Sequence, residues 1–444
     1  MIGCHFGRFF QVSVAGGSYQ EGLSALLQGV PPGMLFTEQG IYGDLLLRKP
    51  GADELSSPRK EPDLPIIYSG VNVGDTVQGA DNKNCTNGTP LTILIPNLDR
   101  HLIHIQQYQD TNRTPRPGHA SYASFQKYGP ADDAIGAGLF SGRYTCTIVA
   151  AGYVAKQVLK ACGIDVFSYI KEAAGVACGA MDYSAVLDYT ERYKRMRREH
   201  DPFYQEMYVR KRITPDMRFL EKMRILAEVE QEIDDIRGKA PSFTAESVRN
   251  QYGVHPILNC PDPDAAEEMV AACNRITNEG DSSGGIVEVI ATGVPPGLGE
   301  PVFNKLDAEL GRMLGIGAVK GVEVGAGFGV KDMTGSQCND QIHSENGKVL
   351  FASNNAGGVT GGLSSGQPIV ARVAVKPTPT IAKPQKTIDK YTLENTDLAA
   401  ITRRDPTIVG RIWPVAENYT AMALLDLLIA QYGYEHLKQR VGSA

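Results

Sequence analysis

The sequence contains no run of about 20 apolar residues, the length a helix needs to span a bilayer, so no membrane segment is expected. The stretch from Met1 to Tyr19 lacks a basic start followed by a long apolar core, which argues against a secretory signal and for a cytoplasmic protein. Neither sign of charge dominates: 44 Lys+Arg stand against 50 Asp+Glu, a net −6. No global field therefore favours nucleic acid or an anionic membrane as partner, and an anionic small molecule must be met by local arginines and lysines. The cysteines (Cys4, Cys85, Cys146, Cys162, Cys178, Cys260, Cys273 and Cys338) form no CxxC pair. No metal site is indicated, and reduced thiols are the simplest reading. No GxGxxG follows a strand-like run, so no dinucleotide site is expected.

Glycine and proline, in contrast, are abundant, at 48 and 26 residues. Glycine clusters at 129–142, 280–299, 311–329 and 354–366. Such clusters mark close backbone approach or positive φ, either in loops around a ligand or in tight turns of an antiparallel sheet. Short β-branched runs predict strands at Phe9–Val14, Leu91–Ile95, Gly285–Thr292, Gly321–Val324, Val349–Ala352 and Ile369–Val375. Helices are predicted at Gly142–Ala161, Ala265–Glu279 (with Asp264 as its cap), Val302–Leu314 and Ala416–Tyr434. The helix from Gly142 is apolar nearly all round, which predicts burial. The expectation is an α+β fold, with helices covered by antiparallel sheets, in a single domain over 1–444. Within it, 182–237 is dense in charge and nearly free of glycine, and reads as a charged helical insertion.

Six segments, in order along the chain, give a more specific signal. They are Phe6-Gly7-Arg8 with Gly29-Val30-Pro31-Pro32-Gly33; Arg116-Pro117-Gly118-His119 with Lys127-Tyr128-Gly129; and Ser141-Gly142-Arg143-Tyr144-Thr145. Further on come Gly280-Asp281-Ser282-Ser283-Gly284-Gly285; Asn354-Asn355-Ala356-Gly357-Gly358 with Lys376-Pro377-Thr378-Pro379-Thr380; and Arg403-Arg404-Asp405-Pro406. Together they resemble the signature regions of the chorismate synthase family. The resemblance implies a helical core sandwiched between antiparallel sheets, assembled as a homotetramer. It implies a lyase that uses reduced FMN in the anti-1,4-elimination of phosphate from 5-enolpyruvylshikimate 3-phosphate, giving chorismate. The implied substrate-binding residues are Ser18, Arg48, Arg116, Arg143 and Arg403. The implied flavin-binding residues are Ser141, Asn355, Ala356, Gly357, Lys376 and Thr380. The implied catalytic residues are His119, beside the flavin, Asp405, and the residue at position 19.

The chain departs from the family pattern mainly on the substrate side. Where the family carries Ser-His-Gly, this chain has Ser18-Tyr19-Gln20. A phenol with a pKa near ~10 donates a hydrogen bond but carries no positive charge at neutral pH. One cation is lost and one weakened in Leu47-Arg48-Lys49-Pro50-Gly51; Tyr144 replaces a glutamate, and Ser121 an aspartate. Two other readings follow: a flavin-dependent relative acting on a different shikimate-like substrate, and an inactive flavin-binding oligomeric scaffold.

Overall fold

The computed structural model describes residues 2–51, 53–57, 59–72, 83–99, 112–133, 135–241, 243–398 and 405–441. Two five-stranded antiparallel sheets enclose a helical layer. The first runs in spatial order His5–Phe6, Gln11–Gly16, Gly22–Gln28, Leu91–Pro96, Ile66–Ser69. In Leu91–Pro96, Leu91, Ile93 and Ile95 are fully buried and alternate with half-buried residues, as expected for a sheet with one face on the core. The second sheet runs Val176–Ala177, Asp165–Ala173, Gly285–Thr292, Ile369–Val375, Val319–Val324.

Between the sheets lie Glu38–Arg48, Thr145–Ala161 and Val409–Tyr432. The last two cross closely because Gly152 faces Asn418; a Cβ on Gly152 would come within 2.3 Å of the Asn418 Cβ. The Val409–Tyr432 helix begins earlier than expected because it accommodates Pro414 in its interior. The helix predicted from Gly142 starts with a 3-10 turn, Gly142–Tyr144, and becomes α-helical at Thr145. The predicted Val302–Leu314 helix is shorter, Leu306–Gly311, followed by a 3-10 turn. Asp262, not Asp264, caps the helix Pro263–Asn278, accepting from the amides of Asp264 and Ala265 at 3.1 Å each. The reason is Pro263, whose missing N–H suits the first helical position and leaves the cap to the residue before it.

The charged region folds mainly into the helices Tyr183–His200 and Phe219–Gly238. Each buries one apolar face, including Tyr189, Tyr193 and Met196 on the first and Leu226, Val229 and Ile236 on the second. Their inward lysines are ion-paired: Lys194 to Glu417 at 3.0 Å, and Lys222 to Glu38. Among the described residues no helix is long and apolar enough to cross a membrane, and no group of His, Cys, Asp and Glu could hold a metal.

Candidate active site

Three arginines come together around Asp63 and Glu61. Arg48, at the end of its helix, is 1% exposed and meets Asp63 at 3.2 Å. Arg143 donates from Nε to Asn97 at 2.8 Å, pairs with Asp63, and lies 3.7 Å from Glu61. Burial alone would raise the Asp63 pKa, but Arg143 and Arg48 outweigh it and hold the carboxyl below its usual range. Arg59 donates to the Ser18 hydroxyl at 3.1 Å and the Ser18 carbonyl at 3.2 Å, and pairs with Glu61 at 3.3 Å. The Tyr19 ring lies under the Arg59 guanidinium, 5.3 Å from centroid to carbon. Among the described residues, the buried Nη2 of Arg48 and Nε of Arg59 have no hydrogen-bond partner. Such atoms are costly unless an anion meets them.

A second cluster surrounds His119. Arg116 donates to the Thr380 hydroxyl at 3.2 Å and lies 3.3 Å from His119 Nε2. Lys376 donates to the Gly118 carbonyl at 2.9 Å. Burial, then Arg116 and Lys376, push the His119 pKa down to about 3, so the imidazole is neutral at pH 7. Burial and Lys320 lower the Lys376 pKa. Cations packed this closely fit an anionic group such as a flavin phosphate.

Asp405 joins the two clusters. Its backbone carbonyl accepts from Thr378, in the Lys376–Thr380 segment, at 2.8 Å. Its carboxylate meets Arg411 at 3.3 Å, and Arg411 Nε donates to the Arg48 carbonyl at 3.0 Å. Burial and the nearby Arg48 lower the Arg411 pKa to about 10, against the raising influence of Asp405.

Other expected site residues have different surroundings. Ser141 caps the turn before Arg143, accepting from its amide at 3.1 Å. Asn355, Ala356 and Gly357 lie at the far end of the strand that precedes Lys376: the Val370 amide donates to Gly357 at 3.1 Å, and Lys376 follows Val375. A seven-residue strand separates them by about 20 Å, so one chain does not bring this loop to the Lys376 cluster. The loop packs against Gly325 instead, and its amides at Asn355 and Ala356 donate to Asp340 at 2.7 and 2.9 Å. Gly299 likewise abuts Gly362, so three of the glycine-rich zones pack backbone against backbone. Arg403 lies outside the described residues.

The substituted positions have clear structural roles. Ser121 accepts from the Arg116 amide at 2.9 Å. The Tyr144 hydroxyl donates to Gly315 at 3.1 Å and accepts from Gly317 at 2.8 Å. Lys49 turns away from Arg48 to pair with Asp201, anchoring the charged helical region. Sequence reasoning missed Arg59 and Arg411. The available signals were the alternating charges of Arg59-Lys60-Glu61-Pro62-Asp63 and the single arginine at the start of an otherwise apolar helix.

The sequence model described as chorismate synthase matches residues 10–429. A chorismate synthase of Acetivibrio thermocellus is 38% identical, the match covering 99% of this chain and 98% of the relative. Those of Methanosarcina mazei and Pyrococcus abyssi are 36% and 35% identical, with 97% of this chain covered in each and 97% and 98% of the relatives. A crystal structure of chorismate synthase superimposes with a TM-score of 0.63 at 25% identity, covering 99% of this chain and 98% of that one.

Proposed function

The chain belongs to the chorismate synthase family, and on that premise we propose that it is a lyase of the shikimate pathway that forms chorismate from 5-enolpyruvylshikimate 3-phosphate, with reduced FMN bound. The observation that carries this reading is the continuous path from Lys376–Thr380 through Asp405 and Arg411 to Arg48, Arg59 and Arg143. A substrate with two carboxylates and a phosphate needs several fixed guanidinium groups, and the unpartnered nitrogens of Arg48 and Arg59 suit it. Arg143, paired with Asp63, and Ser18, bonded to Arg59, belong to the first cluster, and Arg116 belongs to the second.

Lys376 and Thr380 would hold the phosphate of reduced FMN, which would supply the electron-rich ring that the elimination requires. His119, neutral and aligned by Arg116, is placed to share a hydrogen with an adjacent ring atom or substrate oxygen. Asp405, held by Thr378 and Arg411, provides a carboxylate that accepts a proton between the two clusters. Tyr19 stacks under Arg59; at the family's histidine position its phenol would offer the departing phosphate a hydrogen bond where a histidine would bring charge. Arg403 belongs with these substrate-binding residues on the family pattern.

The Asn355–Gly357 loop takes part in flavin binding only if another copy of the chain presents it. Val302, Phe303, Phe328, Ile342 and Val349 are exposed apolar side chains, which supports assembly as a homotetramer. A cytoplasmic location accords with this biosynthetic role, and the chain acts as one domain with 182–237 as its charged helical insertion.

The test is an anaerobic assay of purified protein with dithionite-reduced FMN and 5-enolpyruvylshikimate 3-phosphate, following chorismate and phosphate together. Equal release of both supports the reading. Tight FMN binding without turnover overturns the substrate assignment, and failure to bind FMN overturns the catalytic reading altogether.

A further inference from the structure

We propose that Arg237 is a positioning residue for Arg59, and that the charged helical region serves the active site by holding the segment that carries this arginine. The segment 49–63 follows the Glu38–Arg48 helix and contains no helix or strand among its described residues. It supplies Arg59, Glu61 and Asp63 to the first cluster. A chain without its own hydrogen-bonded ladder keeps a side chain in place only through contacts with its surroundings. One end of the segment is tied beside the first sheet: the Leu98 amide donates to Glu61 at 3.0 Å, and the Lys60 amide donates to Asp99 at 2.9 Å. The other end is tied to the charged helical region. Lys49 pairs there with the buried Asp201, and Arg197 of the Tyr183–His200 helix meets Asp53 at 3.5 Å.

The two ends of the segment meet beside Arg237. Gly51 has a φ of 69°, and a Cβ added there would come within 2.6 Å of the Arg59 carbonyl oxygen and 2.7 Å of Arg237 Nη1. The chain thus folds back until Gly51 lies against the Arg59 backbone, an approach that a residue without a side chain permits. Arg237 closes this crossing by donating from Nη2 to the Gly51 carbonyl at 3.2 Å. Asp234, one turn earlier on the same helix face, meets Lys60 at 2.6 Å. That ion pair is exposed and contributes little, so the part-buried, charge-assisted bond of Arg237 is the stronger tether. One turn of the Phe219–Gly238 helix therefore grips the chain on both sides of Arg59. From this backbone position the Arg59 guanidinium reaches Ser18 and Glu61 and covers the Tyr19 ring.

Loss of Arg237 loosens the crossing, so the Arg59 guanidinium keeps its charge but not its fixed place. The inference rests on the reading of Arg59 as a group that meets the anionic substrate. Arg59 acts there by binding, not by moving a proton, so the effect of Arg237 falls on KM. It also passes through Arg59, and disappears once Arg59 is removed.

The experiment compares the full-length parent, Arg237→Ala, Arg59→Ala and the double variant in the anaerobic assay with reduced FMN and 5-enolpyruvylshikimate 3-phosphate. Arg237→Ala should raise KM about 3–10-fold with kcat little changed, and should add nothing further in the Arg59→Ala background. Gly51→Ala, which presses on the same carbonyl from the other side, should raise KM in the same way. Arg224→Ala, exposed on the same helix, should match the parent. An unchanged KM in Arg237→Ala overturns the proposal. So does a rise by the same factor in both backgrounds, or a fall in kcat at constant KM. Hydrogen exchange followed by mass spectrometry gives a readout without turnover: Arg237→Ala should speed exchange in peptides from 49–63 and leave those around Arg116 and Lys376 as in the parent. Equal exchange across 49–63 likewise sinks the positioning role. A parent that forms no chorismate overturns the substrate assignment instead, and the exchange result then decides the role of Arg237 alone.

Discussion

Arg411 and Arg48 are joined by one hydrogen bond, from the Nε of the first to the backbone carbonyl of the second, at 3.0 Å. Because Arg411 also meets Asp405 at 3.3 Å, one planar guanidinium sets the spacing between a carboxylate on one side and the end of the Glu38–Arg48 helix on the other.

Replacing Arg411 with lysine should test that spacing. A lysine offers a point charge on a flexible stem and cannot serve two directions with a rigid fork. We expect kcat/KM to fall about 10–100-fold, a size usual for a displaced polar group in an active site. Asp405→Asn and Arg411→Lys should be non-additive, coupled by about 1–2 kcal/mol in a double-mutant cycle. Additive effects on kcat would show that the pair does not act as a unit.

Arg59 and Tyr19 should separate binding from chemistry. Arg59→Ala removes a cation whose Nε has no partner among the described residues, so KM for the anionic substrate should rise about 10-fold or more. Tyr19→Phe retains the ring under Arg59 and deletes only the hydroxyl; kcat should fall with KM little changed. Tyr19→His introduces a group that titrates near ~6.5 and should add a limb to the pH–rate profile that the parent lacks. If Tyr19→Phe leaves kcat untouched, the hydroxyl has no part in the reaction.

Much of the fold could be read from local pattern. Gly285–Thr292 and Ile369–Val375 have the boundaries that their β-branched runs predict, because a strand buried between neighbours carries its own signal. The Val409–Tyr432 helix was less legible, since packing on all sides overrides the local cost of Pro414. Motifs located the cluster of Arg116, His119, Lys376 and Thr380, but they could not show that Asn355 and Lys376 lie at opposite ends of one strand. Arg59 and Arg411 were invisible as site residues for a related reason. The alternating charges around Arg59 and the isolation of Arg411 in an apolar helix name no partner; only the folded chain brings each onto Arg48, Ser18 or Asp405.

His119 should remain neutral well below neutral pH in the ligand-free protein. Its imidazole signals, followed by nuclear magnetic resonance, should show no transition between pH 5 and 8, and a transition near 6.5 would contradict the cationic surroundings described here. The consequence for stability has a definite sign. The unfolded chain takes up a proton as pH falls through ~6.5, whereas the folded chain does not until about 3, so stability is lost on acidification across that window. Partial exposure reduces the effect to about 1–3 kcal/mol near pH 4. His119→Gln should flatten that part of the acid-unfolding curve. Inorganic phosphate, bound between Arg116 and Lys376, should raise the pKa by partly cancelling their field.

Gly357→Ala should distinguish the role of the Asn354–Gly358 loop from that of the Lys376 cluster. A Cβ at Gly357 would lie 2.2 Å from the Gly325 amide nitrogen, at a φ of 62°. Neither loop can yield cheaply, because Ala326 donates to Asn355 at 2.7 Å and Gly325 to Val370 at 2.9 Å. The substitution should therefore displace the loop and cost about 1–3 kcal/mol through backbone strain. The Lys376 cluster, about 20 Å along the strand, should be unaffected. If a second copy of the chain brings this loop to the flavin, Gly357→Ala should weaken FMN binding and assembly together, measured by fluorescence titration and sedimentation. The phosphate-induced shift of His119 should stay as in the parent. Loss of the His119 response would instead mean that the loop supports the cluster within its own chain. Unchanged FMN affinity in a destabilised but assembled protein would remove the loop from the flavin site.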